Sequence, residues 1–315
     1  MPQHFQVDSL SEVSSVLGQK PLHLAIGMFD GVHLGHRAVI DAATQSARRA
    51  NGTSGVLTFT PHPSAIFHPD RATRMIVNVA AKERLLAEAG VDVVVTQRFT
   101  PEFAKIEAED FVQYLRRYLP KLCAIYVGEN WRFGRGRRGD IAMLITQAKK
   151  LNINVFSIER INHNGEPISS TRIRECLESG YVEEANALLG YTYFAEGRVT
   201  PGKALGRELG FPTLNVPWTP ELKPKFGVYV MQVSGPKAPG RFQGIANYGL
   251  RPTVEQSDDP RIEVHLLQAC PFAGGDIVKL EWLKFVRPEM KFASVTELMA
   301  QIAQDRAEAE RYFRE

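Results

Sequence analysis

Two histidines three residues apart, His33 and His36, stand in the glycine-rich segment GMFDGVHLGH that follows an apolar run. Glycines let a backbone turn tightly off a strand, and the first N–H groups of a following helix attract anions. Residues three apart share a helix face, so both imidazoles can donate hydrogen bonds to one phosphate group. A zinc site would need further ligands at matching spacing, which the neighbouring sequence lacks. Capping by one histidine and packing by the other is the structural alternative.

The later segment ISSTRIRECLESG predicts a second helix start that can bind an anion. Ser169, Ser170 or Thr171 can cap this helix, and their hydroxyl groups lie beside its free N–H groups. Arg172 and Arg174 fall near its start, where positive charge is unfavourable against the helix dipole. A bound polyphosphate explains these arginines better than helix stability does, although one of the two can simply face solvent.

Two further segments follow predicted strands. VGENWRFGRGRRGD combines glycines with four arginines, a pattern compatible with RNA binding, with a solvated basic loop or with a substrate loop. Its place after a strand favours the substrate loop, because ligands bind at the carboxyl ends of parallel strands. In FTPHPSAIF, His62 and Phe67 can pack against the ring of a ligand or simply within their own loop.

The periodicity of the chain predicts two domains, residues 1–186 and 187–315. In the first, β-branched apolar runs alternate with helical patterns, which predicts an α/β domain with a doubly wound parallel sheet. The predicted strands are 22–27, 55–60, 91–96, 122–128 and 154–159, and the predicted helices lie near 35–50, 79–89, 107–119 and 140–151. After Gly190, strand-like segments follow one another with Gly, Pro and Asp turns, which predicts an antiparallel β-barrel. Ser294 and Glu297, at capping-box spacing, predict a terminal helix.

Composition limits the classes of function. The chain has 315 residues, of which 44% are hydrophobic and 23% charged, as in ordinary globular proteins. A formal charge of +3 is too small to indicate a nucleic-acid or membrane partner. No apolar run approaches the roughly 20 residues of a membrane helix, and no secretory signal is visible, so we expect a cytoplasmic protein. The cysteines, Cys123, Cys176 and Cys270, are expected to be reduced. No oligomeric state is predicted.

Together, the HxGH segment and SSTRIR resemble the marks of the nucleotidylyltransferase superfamily, whose domain is Rossmann-like. Over nearly its whole length the chain resembles the bacterial bifunctional riboflavin kinases/FMN adenylyltransferases. The matching segments are GMFDGVHLGH, PHP, VGENWRFG, SSTRIR, GRELGFPTLN, FGVYV, NYGLRPT, EVHLL and RPEMKFASVTELMAQIAQD. The resemblance implies that ATP phosphorylates riboflavin to FMN and then adenylylates FMN to FAD, releasing pyrophosphate, with Mg²⁺ in both steps. A nucleotidyltransferase acting on another phosphate ester is the alternative.

For the first domain, the resemblance also implies site residues. The adenine nucleotide would be held by Gly27, Phe29, Asp30, His33 and His36, with phosphate contacts from Ser169, Ser170, Thr171 and Arg174. Asn130 would lie beside the flavin and Mg²⁺, with His62 and Phe67 near it. The chain departs from the family at Trp131, where Phe is common. Because the FMN phosphate is itself the attacking group, the protein needs to supply only positioning and charge stabilisation.

The second domain contains no GxxxxGK[ST] segment, so its ATP site is not a P-loop. Gly202 and Lys203 belong instead to a segment that can form a nucleotide-binding flap. Thr213 and Asn215 are two residues apart on a predicted strand, so their oxygens share a face and can bind Mg²⁺. Taken alone, the PTLN sequence that contains them is also typical of an ordinary turn that enters a strand.

Glu263, in RIEVHLL, is the general base for the riboflavin 5′-hydroxyl by the same resemblance. From its position alone, it is an exposed strand residue between buried Ile262 and Val264. Leu214 replaces the Ala usual in the family, and it is expected to face away from Thr213 and the predicted metal site.

Overall fold

The computed structural model describes residues 2–13, 17–202, 210–250 and 259–315. The chain divides into two units, residues 1–170 and 171–315. In the first unit, six strands form a parallel sheet in the order β1-β4-β3-β2-β5-β6, which confirms the predicted parallel sheet. They are β1 (Gln3–Val7), β2 (Leu22–Ile26), β3 (Thr53–Thr60), β4 (Val93–Arg98), β5 (Leu122–Gly128) and β6 (Asn154–Ile158). A separate short hairpin pairs β7 (Asn162–His163) with β8 (Glu166–Pro167).

Helices follow the strands as the periodicity predicts. Those of the first unit are α1 (Leu34–Arg49), α2 (Pro63–Phe67), α3 (Val79–Glu88), α4 (Phe111–Tyr118) and α5 (Ile141–Lys150). Every residue of β2 is buried, which explains why this central strand is apolar at consecutive positions. The edge strand β1 was not predicted, because only Val7 of its five residues is buried and its sequence is largely polar.

The sheet order places a switch point beside β2. From β2 the chain continues to β3 on one side, whereas β5 pairs with β2 on the other side. The loops that leave the carboxyl ends of β2 and β5 therefore diverge and leave a crevice between them. Open α/β sheets bind their ligands in such a crevice.

In the second unit, α6 (Ser170–Ser179) and α7 (Val182–Leu189) precede an antiparallel sheet in the order β10-β13-β12-β11-β14-β9. Its strands are β9 (Phe194–Arg198), β10 (Thr213–Pro217), β11 (Gly227–Gly235), β12 (Ala238–Gly249), β13 (Arg261–Leu266) and β14 (Ile277–Arg287). A bridge between Thr200 and Asn215 joins its two edges, in agreement with the predicted barrel. The terminal helix α8 (Val295–Tyr312) is present, and its cap is the predicted Ser294, whose Oγ accepts from the Glu297 N–H at 3.2 Å.

The division at residue 170 differs from the sequence-predicted boundary at 186/187. The difference arises because α6 and α7 pack with the barrel. Lys225 donates its N–H to the Leu177 carbonyl at 3.0 Å, and the Asn186 side chain donates to the Trp282 carbonyl at 2.8 Å. The boundary at 186/187, which concerns the division of activities, stays a prediction.

We predict that Gly134→Ala destabilises the first unit. Gly134 has φ +71°, and a Cβ there would lie 2.5 Å from the Ala108 Cα. Left-handed strain and this clash together should lower the free energy of unfolding by about 2 kcal/mol. The measurement is urea unfolding followed by the fluorescence of Trp131, which is the only tryptophan in residues 1–170. The control is Gly128→Ala, where an added Cβ meets nothing within 4 Å. Equal stability of the two variants would contradict the prediction.

Candidate active sites

A cavity of about 1150 Å³ lies in the first unit at the carboxyl ends of its central strands. Pockets for one small ligand usually measure about 300–1,000 Å³, so this cavity has room for two substrates. The predicted site residues that line it are Gly27, Phe29, His33, His36, His62, Phe67 and Asn130. They belong to segments that are far apart in sequence, and the parallel order of β2, β3 and β5 brings these segments to one edge.

The loop between β2 and α1 contains three left-handed residues. Phe29, Gly31 and Val32 have φ values of +47°, +76° and +42°. Glycine adopts this conformation readily, whereas Phe and Val do so at an energetic cost that surrounding contacts must offset. The Phe29 ring is buried, and a Cβ at Gly27 would lie 3.0 Å from it. Gly27 therefore leaves room for the Phe29 ring to fold back under the loop.

The two histidines have different roles in this geometry. His33 is the N-cap of α1, and its Nδ1 accepts a hydrogen bond from the backbone N–H of His36 at 3.3 Å. Because Nδ1 accepts, the proton of a neutral His33 ring is on Nε2. The His36 ring stacks on His33 at 3.5 Å and meets the Phe29 ring edge-on at 5.4 Å. The helix cap that was weighed as an alternative is thus present, and both rings also line the cavity.

Asp30 lies outside the cavity lining, under the loop. It is 2% exposed, and its two carboxylate oxygens accept from the Ile76 N–H at 3.0 and 3.2 Å. Its position connects the loop after β2 to the segment that leads into α3. This contact supports the loop, and the assignment of Asp30 to the nucleotide stays a prediction.

The segment that leads into the second predicted helix lies beside the loop before α1. The Ser170 hydroxyl donates to the Asp30 carbonyl at 3.1 Å, and the Ile168 carbonyl faces Gly35 of α1. Ser169 precedes Ser170, which is the first residue of α6, and Thr171 and Arg174 follow on the opening turns of that helix. Arg172 forms an ion pair with Glu184 at 2.5 Å, so it is held within its own unit.

Aromatic side chains form one wall of the cavity. Phe59 packs against Phe99 and Phe103 with ring centroids 6.2 and 5.5 Å apart, and Phe67 meets Phe99 at 6.2 Å. Phe67 is 55% exposed, so much of its ring is available to a ligand. His62 caps α2, with its Nδ1 accepting from the Ser64 N–H at 3.2 Å. The sequence reasoning missed Phe99 and Phe103, because their segments carry no motif.

On another side of the cavity, Asn130 faces Arg160. The hydrogen-bonding environment assigns the Asn130 amide oxygen to this side, where it accepts from Arg160 Nη2 at 2.6 Å and from Nε at 2.8 Å. Arg160 also lies 3.5 Å from a carboxylate oxygen of Glu129. Arg160 was missed, although its position just beyond the carboxyl end of β6 follows the same rule that indicated the other loops.

The arginines of the loop after Asn130 are partly neutralised by acidic neighbours. Arg135 pairs with Glu107 at 3.0 Å, and Arg132 lies 3.7 Å from Asp140. In the same loop, Trp131 stacks on Phe133 with ring centroids 4.9 Å apart. A ring larger than the Phe common in the family is therefore accommodated within an aromatic cluster. Paired arginines favour the substrate-loop interpretation over an RNA-binding run.

In the second unit, a row of polar residues crosses three neighbouring strands. Glu263 of β13 lies opposite Asn215 of β10 on one side and opposite Asn247 of β12 on the other. Directly opposed residues have Cβ atoms about 5 Å apart, so the carboxylate lies between two amides. Thr213, on the same face as Asn215, is opposite His265, whose Nδ1 contacts the Pro212 carbonyl at 3.0 Å.

Around Glu263, the burial of β13 alternates as predicted. Ile262, Val264 and Leu214 are buried on the other face, while Glu263 is half-buried. The main chain of Gly202 lies directly over the Asn215 amide, because a Cβ there would be 2.3 Å from Nδ2. Lys203 lies outside the described residues. In the part of the chain that the structure describes, no three His, Cys, Asp or Glu side chains form a metal cluster.

Comparisons with known proteins match both units. A family model described as FAD synthetase matches residues 17–172, and one described as riboflavin kinase matches residues 189–313. The chain is 37% identical to the bifunctional riboflavin kinase/FMN adenylyltransferase of Escherichia coli (strain K12) and 35% identical to that of Bacillus subtilis (strain 168). Each alignment covers 92% of this chain and 92% of the relative.

A solved structure from Streptococcus pneumoniae, described as a macrolide-efflux protein, matches with a TM-score of 0.85 and 27% identity over 98% of both chains. In the described ranges of the present chain, no helix is both long enough and apolar enough to cross a membrane.

We predict that a side chain other than imidazole can replace the capping role of His33 if it also accepts a hydrogen bond. His33→Ala removes the acceptor for the His36 N–H and should lower the free energy of unfolding by about 1 kcal/mol. His33→Asn retains a capping oxygen and should be more stable than the alanine variant. Urea unfolding of the two variants, followed through Trp131, measures the difference. If the His33→Ala and His33→Asn variants prove equally stable, the capping hydrogen bond does not contribute to the free energy of unfolding.

Proposed function

The chain belongs to the family of bifunctional riboflavin kinase/FMN adenylyltransferases, and on this premise we propose how its residues divide the two reactions. The activities themselves follow from the two family domains and from the relatives: ATP phosphorylates riboflavin to FMN, and ATP then adenylylates FMN to FAD. We assign the second reaction to the cavity of the first unit and the first reaction to the polar row of the second unit.

One observation carries the assignment of the adenylylation site. The start of α1, with His33 as its cap, lines the cavity, and Ser170 donates to the Asp30 carbonyl in the loop before it. The first N–H groups of a helix attract the negative charge of a triphosphate. Gly27 and Phe29 shape the loop, and Ser169, Thr171 and Arg174 add polar groups near the second helix start.

Adenylyl transfer then proceeds by direct displacement. An oxygen of the FMN phosphate attacks the α-phosphorus of ATP, the bond to the bridging oxygen breaks, and pyrophosphate leaves with the electron pair. His33, whose proton is on Nε2 when Nδ1 caps the helix, donates to the phosphate oxygens that gain charge. His36 stacks on His33 and donates beside it.

The aromatic wall is the proposed flavin side of the cavity. Phe67 and His62 flank the space where a planar ring can stack. Asn130 turns its oxygen to Arg160, so its Nδ2 donors are the atoms that face a substrate. Magnesium in this domain would therefore be held chiefly by phosphate oxygens of the substrates, as is usual for this ion.

For riboflavin phosphorylation, we propose Glu263 as the general base. Its carboxylate, half-buried in the polar row, takes the proton of the 5′-hydroxyl as that oxygen attacks the γ-phosphorus of ATP. Thr213 and Asn215 would hold Mg²⁺, since a hydroxyl and an amide oxygen are ligands that this hard cation accepts. The ion would neutralise charge on the phosphates. Gly202, over Asn215, would bring main chain close to the nucleotide, with Lys203 beyond it.

We further propose residues 1–186 and 187–315 as the two functional domains, and a cytoplasmic location. Support for the boundary comes from the family matches, which end at residue 172 and resume at 189. The three cysteines are free, which agrees with a reducing compartment.

Two single substitutions in the full-length protein should separate the activities. His36→Ala should lower FAD formation from FMN by about 100-fold or more, because a donor to the transferring phosphoryl group is lost. Glu263→Gln should lower FMN formation from riboflavin by about 100-fold or more, because the base is lost. Each variant serves as the control for the other, since its second activity should be unchanged.

Chromatography of riboflavin, FMN and FAD after incubation with ATP and Mg²⁺ measures both products. Parallel loss of both activities in either variant would refute independent sites. A wild-type protein that forms FMN but no FAD would overturn the assignment of the first unit, and a different phosphate-ester substrate would then be sought.

A further inference from the structure

Lys82, on α3, is buried although it carries a charge. It is 1% exposed and is the one lysine among residues 2–13, 17–202, 210–250 and 259–315 that is buried. Its Nζ donates to Thr58 Oγ1 at 3.1 Å, to the Phe59 carbonyl at 3.1 Å and to the Met28 carbonyl at 3.4 Å. An ammonium group has three N–H donors, so these three acceptors satisfy it completely.

The acceptors lie where the ladder between β2 and β3 ends. The last ladder pair joins Ile26 to Leu57, and the Gly27 N–H still bonds to the Leu57 carbonyl at 3.1 Å. Beyond this point the chain bends away from β3, and the Met28 carbonyl has no ladder partner. Thr58 Oγ1 donates to that carbonyl at 3.0 Å, and Lys82 Nζ donates to it as well. The Lys82 ammonium and the Thr58 hydroxyl thus connect β2 to β3 at the point where the backbone hydrogen bonds between these strands stop.

This connection immediately precedes the left-handed residues of the loop. Phe29 and Val32 persist in a costly conformation only if their surroundings over-determine it. The negative charges of Asp30, within the bend, and Glu83, next to Lys82 on α3, raise the pKa of Lys82 and so favour its charged form. Burial has the larger opposite effect and lowers the pKa of Lys82 to about 8. A residue that is costly to bury and fully hydrogen-bonded is one whose geometry is sharply defined.

We propose that Lys82 is a positioning residue for adenylyl transfer, acting through Thr58 and the Met28 carbonyl on the loop that carries His33 and His36. The proposal rests on the function assigned above to the first unit. Lys82 is outside the cavity lining and touches no substrate. It holds the carboxyl end of β2 against β3, and this sets the direction in which the chain enters α1. An error of about 1 Å at reacting atoms can cost about 100-fold in rate, so the position of this loop matters for catalysis.

The test uses isosteric changes in the full-length enzyme. Lys82→Met removes the ammonium at similar volume, and Thr58→Val removes the hydroxyl that links Lys82 to Met28. Thr58→Ser keeps that hydroxyl and is the matched control. Lys149→Met, on the exposed end of α5, controls for loss of a positive charge elsewhere.

The expected result is a loss confined to the rate of FAD formation. Lys82→Met should lower kcat for adenylylation by about 100-fold while KM for FMN changes little, because Lys82 does not contact substrate. Thr58→Val should lower the same kcat, whereas Thr58→Ser, which keeps the hydroxyl, should retain the wild-type kcat. The double variant should be no slower than Lys82→Met alone, since both changes break one chain of contacts. Riboflavin kinase activity, measured on the same samples, should be unchanged in all variants.

Other results overturn the proposal. If Lys82→Met forms FAD at the wild-type kcat, Lys82 does not position the loop, although the assigned function stands. A purely structural role would lower the amount of active enzyme but leave the kcat of each active molecule at the wild-type value. If Lys82→Met does not fold, the Thr58 pair decides, and an unchanged kcat in Thr58→Val refutes the idea. A wild-type enzyme that makes no FAD removes the assigned function and this role with it.

Discussion

The left-handed bend between β2 and α1 is the constraint on which the first unit depends. A strand that ends in a buried sheet must reverse direction within a few residues if its helix is to start above the sheet edge. Phe29, Gly31 and Val32 achieve this at positive φ, which costs energy at the two residues that are not glycine. Contacts from distant segments offset the cost: the Ile76 N–H on Asp30 and the Ser170 hydroxyl on its carbonyl.

The same bend determines what the cavity can bind. It points the first N–H groups of α1 toward the crevice at the switch point of the sheet, and it places the stacked histidines there. The opposite wall is aromatic and leaves space for a planar ring, while the arginines of the loop after β5 are partly neutralised by Glu107 and Asp140. Positive potential is therefore concentrated at the start of α1 rather than spread over a basic surface, which suits a triphosphate better than a polynucleotide.

In the barrel, the site proposed for phosphoryl transfer is built on strands and contains no helix start. Its polar row depends on strand register: Asn215, Glu263 and Asn247 are neighbours only because three antiparallel strands pair in one alignment. A slip of one residue would turn Glu263 into the core and bring Ile262 or Val264 to the reactive face. The buried apolar residues on the other face resist that slip, so the core of the barrel and its proposed active row are specified by the same alternation.

Local pattern determined a large part of this protein. Apolar runs and helix periods predicted the parallel sheet, the barrel and the terminal helix, and the HxGH and SSTRIR segments indicated an anion site, because strand and helix signals depend on residues close in sequence. Only the tertiary structure decided which partners these segments meet. Asp30 accepts from the Ile76 N–H, and Arg160 and Lys82 contact Asn130 and Met28 across long sequence separations. Such contacts depend on how strands are ordered and where each ladder ends, and these are properties of the packed sheet rather than of any single segment.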